Sequence, residues 1–413
     1  MTSTDSSGQN ARSLAWLGIA GVLILALGAR TGVAAIAPIA HEIELDVELG
    51  GIWLGLLGMI PPISYALAGL FTPRIVRKLS LEGLAIAVSA LTAAAHIARG
   101  FTPNYVGLFI STVVLMLGVG AINVILPGLV KLYASRHIGP VTSLYSTAMA
   151  ISTAAPAAVG LWLAEAYDWR WSLASWSVIS AVAMLPWLVL LPRAWSRRSA
   201  ERADFGAIPE LPRIGDLAKS PTARSIMLIF SVSGLTAYSI FALLPPVLVD
   251  LAGSTPEEAA TAVAVFSIMG MPMSLTIPLL AVRRGWAQRL VAFGAAAGVS
   301  GFLGLAFIAD VAPLLWAVLT ALGTLHFSMS LALIGARTLS HHMATNLSGF
   351  VNTLGYSVAA LGPVITGFLH EITGSWVPSL LVLAAASLVA LSASVVFARE
   401  NTVEAELDDA TVG

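Results

Sequence analysis

The sequence predicts an all-α polytopic membrane protein, with twelve transmembrane helices in two six-helix bundles. Three observations carry that prediction. The 413-residue chain is 57% hydrophobic and only 10% charged, with a mean hydropathy of +0.88, whereas a soluble domain carries about 25% charged residues. Apolar stretches recur along the whole chain at a spacing that fits a span of about 20 residues and a short loop. Residues also recur at an offset of 207: Pro38 with Pro245, Pro156 with Pro363, Gly160 with Gly367, Trp169 with Trp376, Ser172 with Ser379 and Leu173 with Leu380.

In chain order, residues 1–13 form a polar tail and the first span covers 14–39. Arg30 lies roughly 24 Å along a helix from Leu14, too deep for the headgroups on that side. A cleavable signal peptide ending at Ala35-Ile36-Ala37 is disfavoured, because the apolar run outlasts the usual length and Arg30 would separate it from the cleavage site. Further spans fall near 51–72, 81–99, 105–133, 140–164 and 171–192, then 223–249, 259–282, 287–309, 312–337, 346–369 and 376–398. The polar interval 193–222, with Pro209, Pro212 and Pro221, reads as the linker between bundles 14–192 and 223–398. Residues 399–413 form an acidic tail.

Charge sets the orientation. Alternate loops hold Arg74, Arg77, Lys78, Lys131, Arg136, Arg193 to Arg224, Arg283, Arg284, Arg289 and Arg337. The other loops hold Arg99 and Arg170 beside acids such as Asp46, Glu48, Asp168, Asp250 and Glu371. The positive-inside rule makes the basic loops and both termini cytoplasmic, in a cell or inner membrane. Trp169, Trp171, Trp286 and Trp376 stand where spans begin, as interface anchors do.

An even number of spans per repeat inserts both copies in one orientation, the parallel-repeat plan in which two bundles rock about a midplane site. Two runs carry a closer resemblance. GVGAINVILPGLVKLYASRHIGPVTSLYSTAMA at 118–150, followed by WRWSLASW at 169–176, resembles the cyanate and nitroimidazole transporter family of the major facilitator superfamily. RTLSHHMATNLSGFVNTLGYSVAALGPVITGFLHEITGSW at 337–376 resembles the tenth and eleventh spans of the same family. The likeness runs from about Arg30 to Trp376, with Thr31 where the family tends to have Pro, and His326 and Asn352 in place of Gln. It implies a secondary transporter of cyanate or a nitroimidazole-like solute.

Depth within the spans selects the candidate binding residues: Arg30, Asn123, Tyr238, His326, Asn352 and Tyr356, with Tyr65 and Tyr145 as secondary candidates. Each also suits an interhelical hydrogen bond. No Asp or Glu lies well inside a span, so Arg30 favours an anionic or acceptor-rich solute as its partner. His326 is the mid-depth side chain suited to carry a coupled proton, unless burial keeps it neutral. Arg337 ends its span, where positive-inside placement explains it and a gate role is the alternative. Pro73 replaces the acidic residue that the superfamily often carries in the loop at 69–78.

An enzyme finds little support. HEIEL at 41–45 and HEITG at 370–374 lack the second His of HExxH, and neither GxSxG nor a nucleotide-binding GxxxxGK[ST] loop occurs. The expected protein is a secondary active transporter of a small anion or small polar heteroaromatic solute, moving it inward by alternating access. The alternative is a proton-coupled multidrug or metabolite exporter. The expected partners are the solute and the lipid bilayer, with no cofactor, metal or nucleic acid, and the monomer as the working unit.

Overall fold

The computed structural model describes residues 3–47, 51–205 and 212–412. Pro209 of the expected linker and Glu48 of the acidic loop lie outside them. The described residues are helical throughout, with no strand. In chain order the helices are α1 (Ser3–Ala34), α2 (Ala40–Glu44), α3 (Gly51–Lys78), α4 (Leu81–Gly100), α5 (Tyr105–Tyr133), α6 (Ile138–Ala155), α7 (Leu161–Ala166), α8 (Trp169–Ser175), α9 (Ser177–Phe205) and α10 (Ile214–Leu217). There follow α11 (Pro221–Ala252), α12 (Pro256–Ala281), α13 (Trp286–Phe307), α14 (Pro313–Gly323), α15 (His326–Ala336), α16 (His341–Thr373), α17 (Val377–Ala390), α18 (Ser392–Phe397) and α19 (Val403–Val412). Among the described residues nine stretches are long and apolar enough to cross a membrane, in α1, α4, α5, α8 with α9, α11, α12, α13, α14 with α15, and α17 with α18; α3, α6 with α7, and α16 bring the transmembrane rods to the expected twelve.

Local chemistry sets the helix ends. Ser80 and Asn104 cap α4 and α5 by accepting the N–H of Gly83 and Gly107 at 3.0 and 2.9 Å. Thr255 and Glu258 form a reciprocal capping box on α12. Pro221, Pro256 and Pro313 stand in first turns, where the missing N–H costs nothing. Gly253 ends α11 with φ of 64°, a conformation that glycine adopts without strain.

Two compact units result. The first comprises residues 1–212 and 340–352, so it includes the opening turns of α16; the second comprises 213–339 and 353–413. In the first, α4 packs on α5, α8 and α9, while α1 packs on α5, α6 and α9. In the second, α13 packs on α14, α17 and α18, and α11 on α12, α15 and α18. The core of the second unit gathers Leu244, Leu248, Phe266, Phe302, Leu305 and Leu383.

The helices outrun the hydropathy boundaries. The sixth rod continues past 192 to Phe205 because Arg, Ala, Ser and Glu favour helix as well as apolar residues do, and α1 begins at Ser3. The acidic tail is likewise helical and docked: Val403 is buried, and its N–H donates to the Arg337 carbonyl at 2.9 Å. Glu406 accepts from Ser220 Oγ at 2.5 Å, Thr222 N at 3.0 Å and Thr222 Oγ1 at 2.8 Å, placing a carboxylate at the N-terminus of α11.

The sequence repeat has structural counterparts. Trp169 Nε1 donates to Asp46 Oδ2 at 2.9 Å in the first unit, and Trp376 Nε1 donates to Asp250 Oδ2 at 2.7 Å in the second. Ser172 Oγ donates to the Gly160 carbonyl and Ser379 Oγ to that of Thr366, both at 2.7 Å. Trp169 is therefore buried and hydrogen-bonded rather than an interface anchor, whereas Trp171 is exposed as expected.

Candidate functional site

In the first unit, Arg30 occupies the penultimate turn of α1. Its backbone N–H donates to Ser152 Oγ at 3.1 Å, and its guanidinium carbon lies 5.9 Å from the centroid of the Tyr65 ring. That geometry falls within cation–π range. Tyr65 is wholly buried, and its hydroxyl points to Met116 Sδ at 3.8 Å. A Cβ on Gly120 would lie 3.1 Å from the Tyr65 Cα, so α3 and α5 meet there. Asn123 is one helical turn beyond Gly120, on the same side of α5. Its carboxamide is buried, and neither the oxygen nor the nitrogen finds a partner among the described residues. An unsatisfied buried amide calls for a ligand or water.

The opening turns of α16 adjoin this region. Ser348 Oγ reaches the Asn123 carbonyl at 3.5 Å, and Asn352 Nδ2 donates to the Ser348 carbonyl at 2.8 Å. The first unit therefore brings Arg30 to Tyr65, and Asn352 to Asn123 through Ser348. Tyr145, also wholly buried, lies on α6.

In the second unit, Tyr356 meets Phe230 edge to face at 5.1 Å, and Phe230 meets Phe327 at 5.4 Å. Tyr238 is half-buried on α11. His326 opens α15 just after the break that divides the tenth rod, and its ring turns toward α13: Nε2 lies 3.3 Å from the Val291 carbonyl. A Cβ on Gly294 would come within 2.7 Å of that nitrogen. The ring fills a packing seam between α13 and α15. Arg337 grips the chain after α18, donating to the carbonyls of Arg399 at 3.0 Å and Asn401 at 3.4 Å. These bonds tie the end of α15 to the segment that follows α18. Burial pulls the pKa of Arg337 down, and Glu400 and Glu406 oppose that shift.

Three features escaped the sequence reading. Arg99 is no loop residue: it is wholly buried on α4 and donates from Nη1 to the Gly32 carbonyl at 2.7 Å, while Nε and Nη2 find no partner among the described residues. Glu82, in the first turn of α4, is wholly buried between Tyr133 Oη at 2.5 Å and Arg197 Nη2 at 2.8 Å. Phe230 and Phe327 build the aromatic group around Tyr356, and nothing in an apolar sequence sets such phenylalanines apart.

The family model of the Major Facilitator Superfamily matches residues 19–363. The chain belongs to the Major Facilitator Superfamily. It is 29% identical over 389 residues to the 2-nitroimidazole transporter of Escherichia coli (strain K12), covering 94% of this chain and 95% of that one. It is 23% identical over 363 residues to the cyanate transport protein CynX of the same organism, covering 86% and 90%. Among solved structures, the proton:xylose symporter XylE superposes with a TM-score of 0.73 at 12% identity over 96% of this chain and 99% of that one. The fucose:proton symporter FucP gives 0.68 at 13% over 92% and 98%. This superfamily member is thus a multi-pass membrane transporter, and the structural likenesses bear on its fold alone. Among the described residues no group of three or more His, Asp or Glu could hold a metal ion.

Proposed function

We propose that the chain is a secondary active transporter of a small anion or small polar heteroaromatic solute, of the kind named for its cyanate and nitroimidazole relatives, and that it works by alternating access with both termini cytoplasmic. The observation that carries this reading is the first unit's combination of a deep guanidinium over the Tyr65 ring with an unsatisfied Asn123 carboxamide. A guanidinium fork suits a planar, acceptor-rich solute, and an amide supplies both a donor and an acceptor.

A thermal-shift screen of small anions and heteroaromatics on the purified protein tests the ligand class, because a ligand of the folded state raises apparent stability by mass action. Hits then go to proteoliposomes. Saturable flux of a hit supports the proposal. Chemical turnover without flux, or binding with neither, overturns it.

A further inference from the structure

The first unit carries a small open cavity at the opposite end of α4 from Arg99. Ser80, Arg197, Arg198, His341 and His342 line one part of it, and four apolar side chains, Leu79 among them, make up the rest. The His341 and His342 rings lie 4.0 Å apart. Arg198 is anchored by its Nη2 on the Arg77 carbonyl. Arg197 is paired with Glu82, which is itself wholly buried and does not line the cavity. The Ser80 oxygen already accepts the Gly83 N–H, so its hydroxyl proton remains to be donated.

This lining supplies donors and positive charge without a carboxylate. Arg77 and Lys78, both exposed, add charge at the rim. Several donors converging from α4's cap, α9 and α16 suit a group with several acceptor oxygens better than a monodentate one. Beside the cavity, Leu79 is 42% exposed, and Trp195, one turn before Arg198, is 62% exposed.

We propose that this cavity binds a phosphate group, either the headgroup of an anionic phospholipid or free inorganic phosphate, through Arg198, His341, His342 and the Ser80 hydroxyl. The inference is independent of which solute the protein carries. Its assignment to the cytoplasmic leaflet rests on the proposed orientation, whereas the binding itself does not. Basic clusters at that leaflet are suited to anionic lipids.

The test uses the full chain in a neutral detergent at low salt. Thermal unfolding is followed with dioleoyl phosphatidylglycerol against dioleoyl phosphatidylcholine, and with sodium phosphate against sodium chloride at equal ionic strength. Phosphatidylglycerol should raise the midpoint by several degrees over phosphatidylcholine. An equal rise with sodium phosphate identifies free phosphate as a sufficient ligand, and a rise with the lipid alone identifies the headgroup. Ser80→Asp keeps the helix cap, since Asp caps as well as Ser, but puts a carboxylate in the cavity and should remove the rise. Should that variant not purify folded, His341→Gln/His342→Gln decides, with the rise expected to shrink at least severalfold. The proposal is overturned if neither phosphate source exceeds its control, or if the rise is undiminished in the variant that decides.

Discussion

Arg99 holds the carbonyl of Gly32, two residues beyond Arg30, from the neighbouring helix. Gly32 lies in the last turn of α1, whose carbonyls have no helical partner, so the guanidinium both satisfies that end and fixes the turn that follows Arg30. Arg99→Met should destabilise the protein by about 1.5–3 kcal/mol, the range for a hydrogen bond to a charged group, and weaken solute binding in step. Arg99→Lys, which still offers a donor to one carbonyl, should recover most of both. Thermal unfolding and ligand titration on the same preparations check this; equal failure of Lys and Met removes the capping role.

Arg30 itself separates charge from geometry. Arg30→Lys keeps the cation and loses the fork, so binding should fall partially. Arg30→Gln loses the charge and should nearly abolish binding, with both variants purifying as monodisperse species. Isothermal titration with a hit from the screen reads the difference, and normal transport by Arg30→Gln would leave the residue structural.

The seam between His326 and Gly294 makes a packing prediction. A methyl group at 294 meets His326 Nε2 at 2.7 Å and Leu325 Cγ at 3.1 Å, so Gly294→Ala should cost about 1–3 kcal/mol through overpacking. His326→Ala in the same background should restore much of it. His326→Gln should lower solute counterflow and pH-driven accumulation in parallel; selective loss of accumulation would return the ring to proton coupling.

Asp46 gives a pH dependence. The hydrogen bond from Arg170, then that from Trp169, holds its carboxyl below the usual carboxylate range. A depressed value in the folded state means that the stabilisation is fully present above the unfolded value of about 4 and is lost as pH falls through the folded one. Asp46→Asn should therefore lower the unfolding midpoint at pH 7, by an amount that shrinks as the pH is taken below 4. A constant gap between variant and parent across that range would show that the carboxylate charge is immaterial.

Glu406 ties α19 to the N-terminus of α11. Glu406→Gln keeps an acceptor without the charge and should cost less than Glu406→Ala, which should lose about 1–2 kcal/mol and expose the tail to limited proteolysis. An uncut tail in the alanine variant would assign the docking to Val403 and Arg337 instead.

Much of this fold is legible in the sequence because a bilayer imposes a length and a polarity on every span. The repeat register and the depth of Arg30 follow directly from residue positions. Arg99 does not: hydropathy finds a charge at the end of a span but is silent on which way it turns. Gly100 has no room for a side chain beside the Arg170 carbonyl, so the bundle closes over the arginine. The tenth rod is equally deceptive. Residues 312–337 read as one apolar run, yet a Cβ on Gly323 would meet the Gly298 Cα at 3.0 Å and the Thr324 carbonyl accepts from Ser233 Oγ at 2.9 Å, where α14 gives way to α15. That break delivers His326 to α13. Tertiary contacts of this kind leave no mark in local hydropathy.

The paired tryptophans make the same bond at different spacings. The tryptophans are 207 residues apart but their aspartate partners only 204, so if the halves descend from one duplicated unit, the stretches linking these partners have since changed length. The bond nevertheless persists in both. What diverged is the neighbour of each indole: the Arg170 guanidinium carbon lies 4.3 Å from the Trp169 ring centroid, while His370 stacks flat against Trp376 at 3.5 Å. The two halves thus share the aspartate at the edge of the indole and differ in what covers its face.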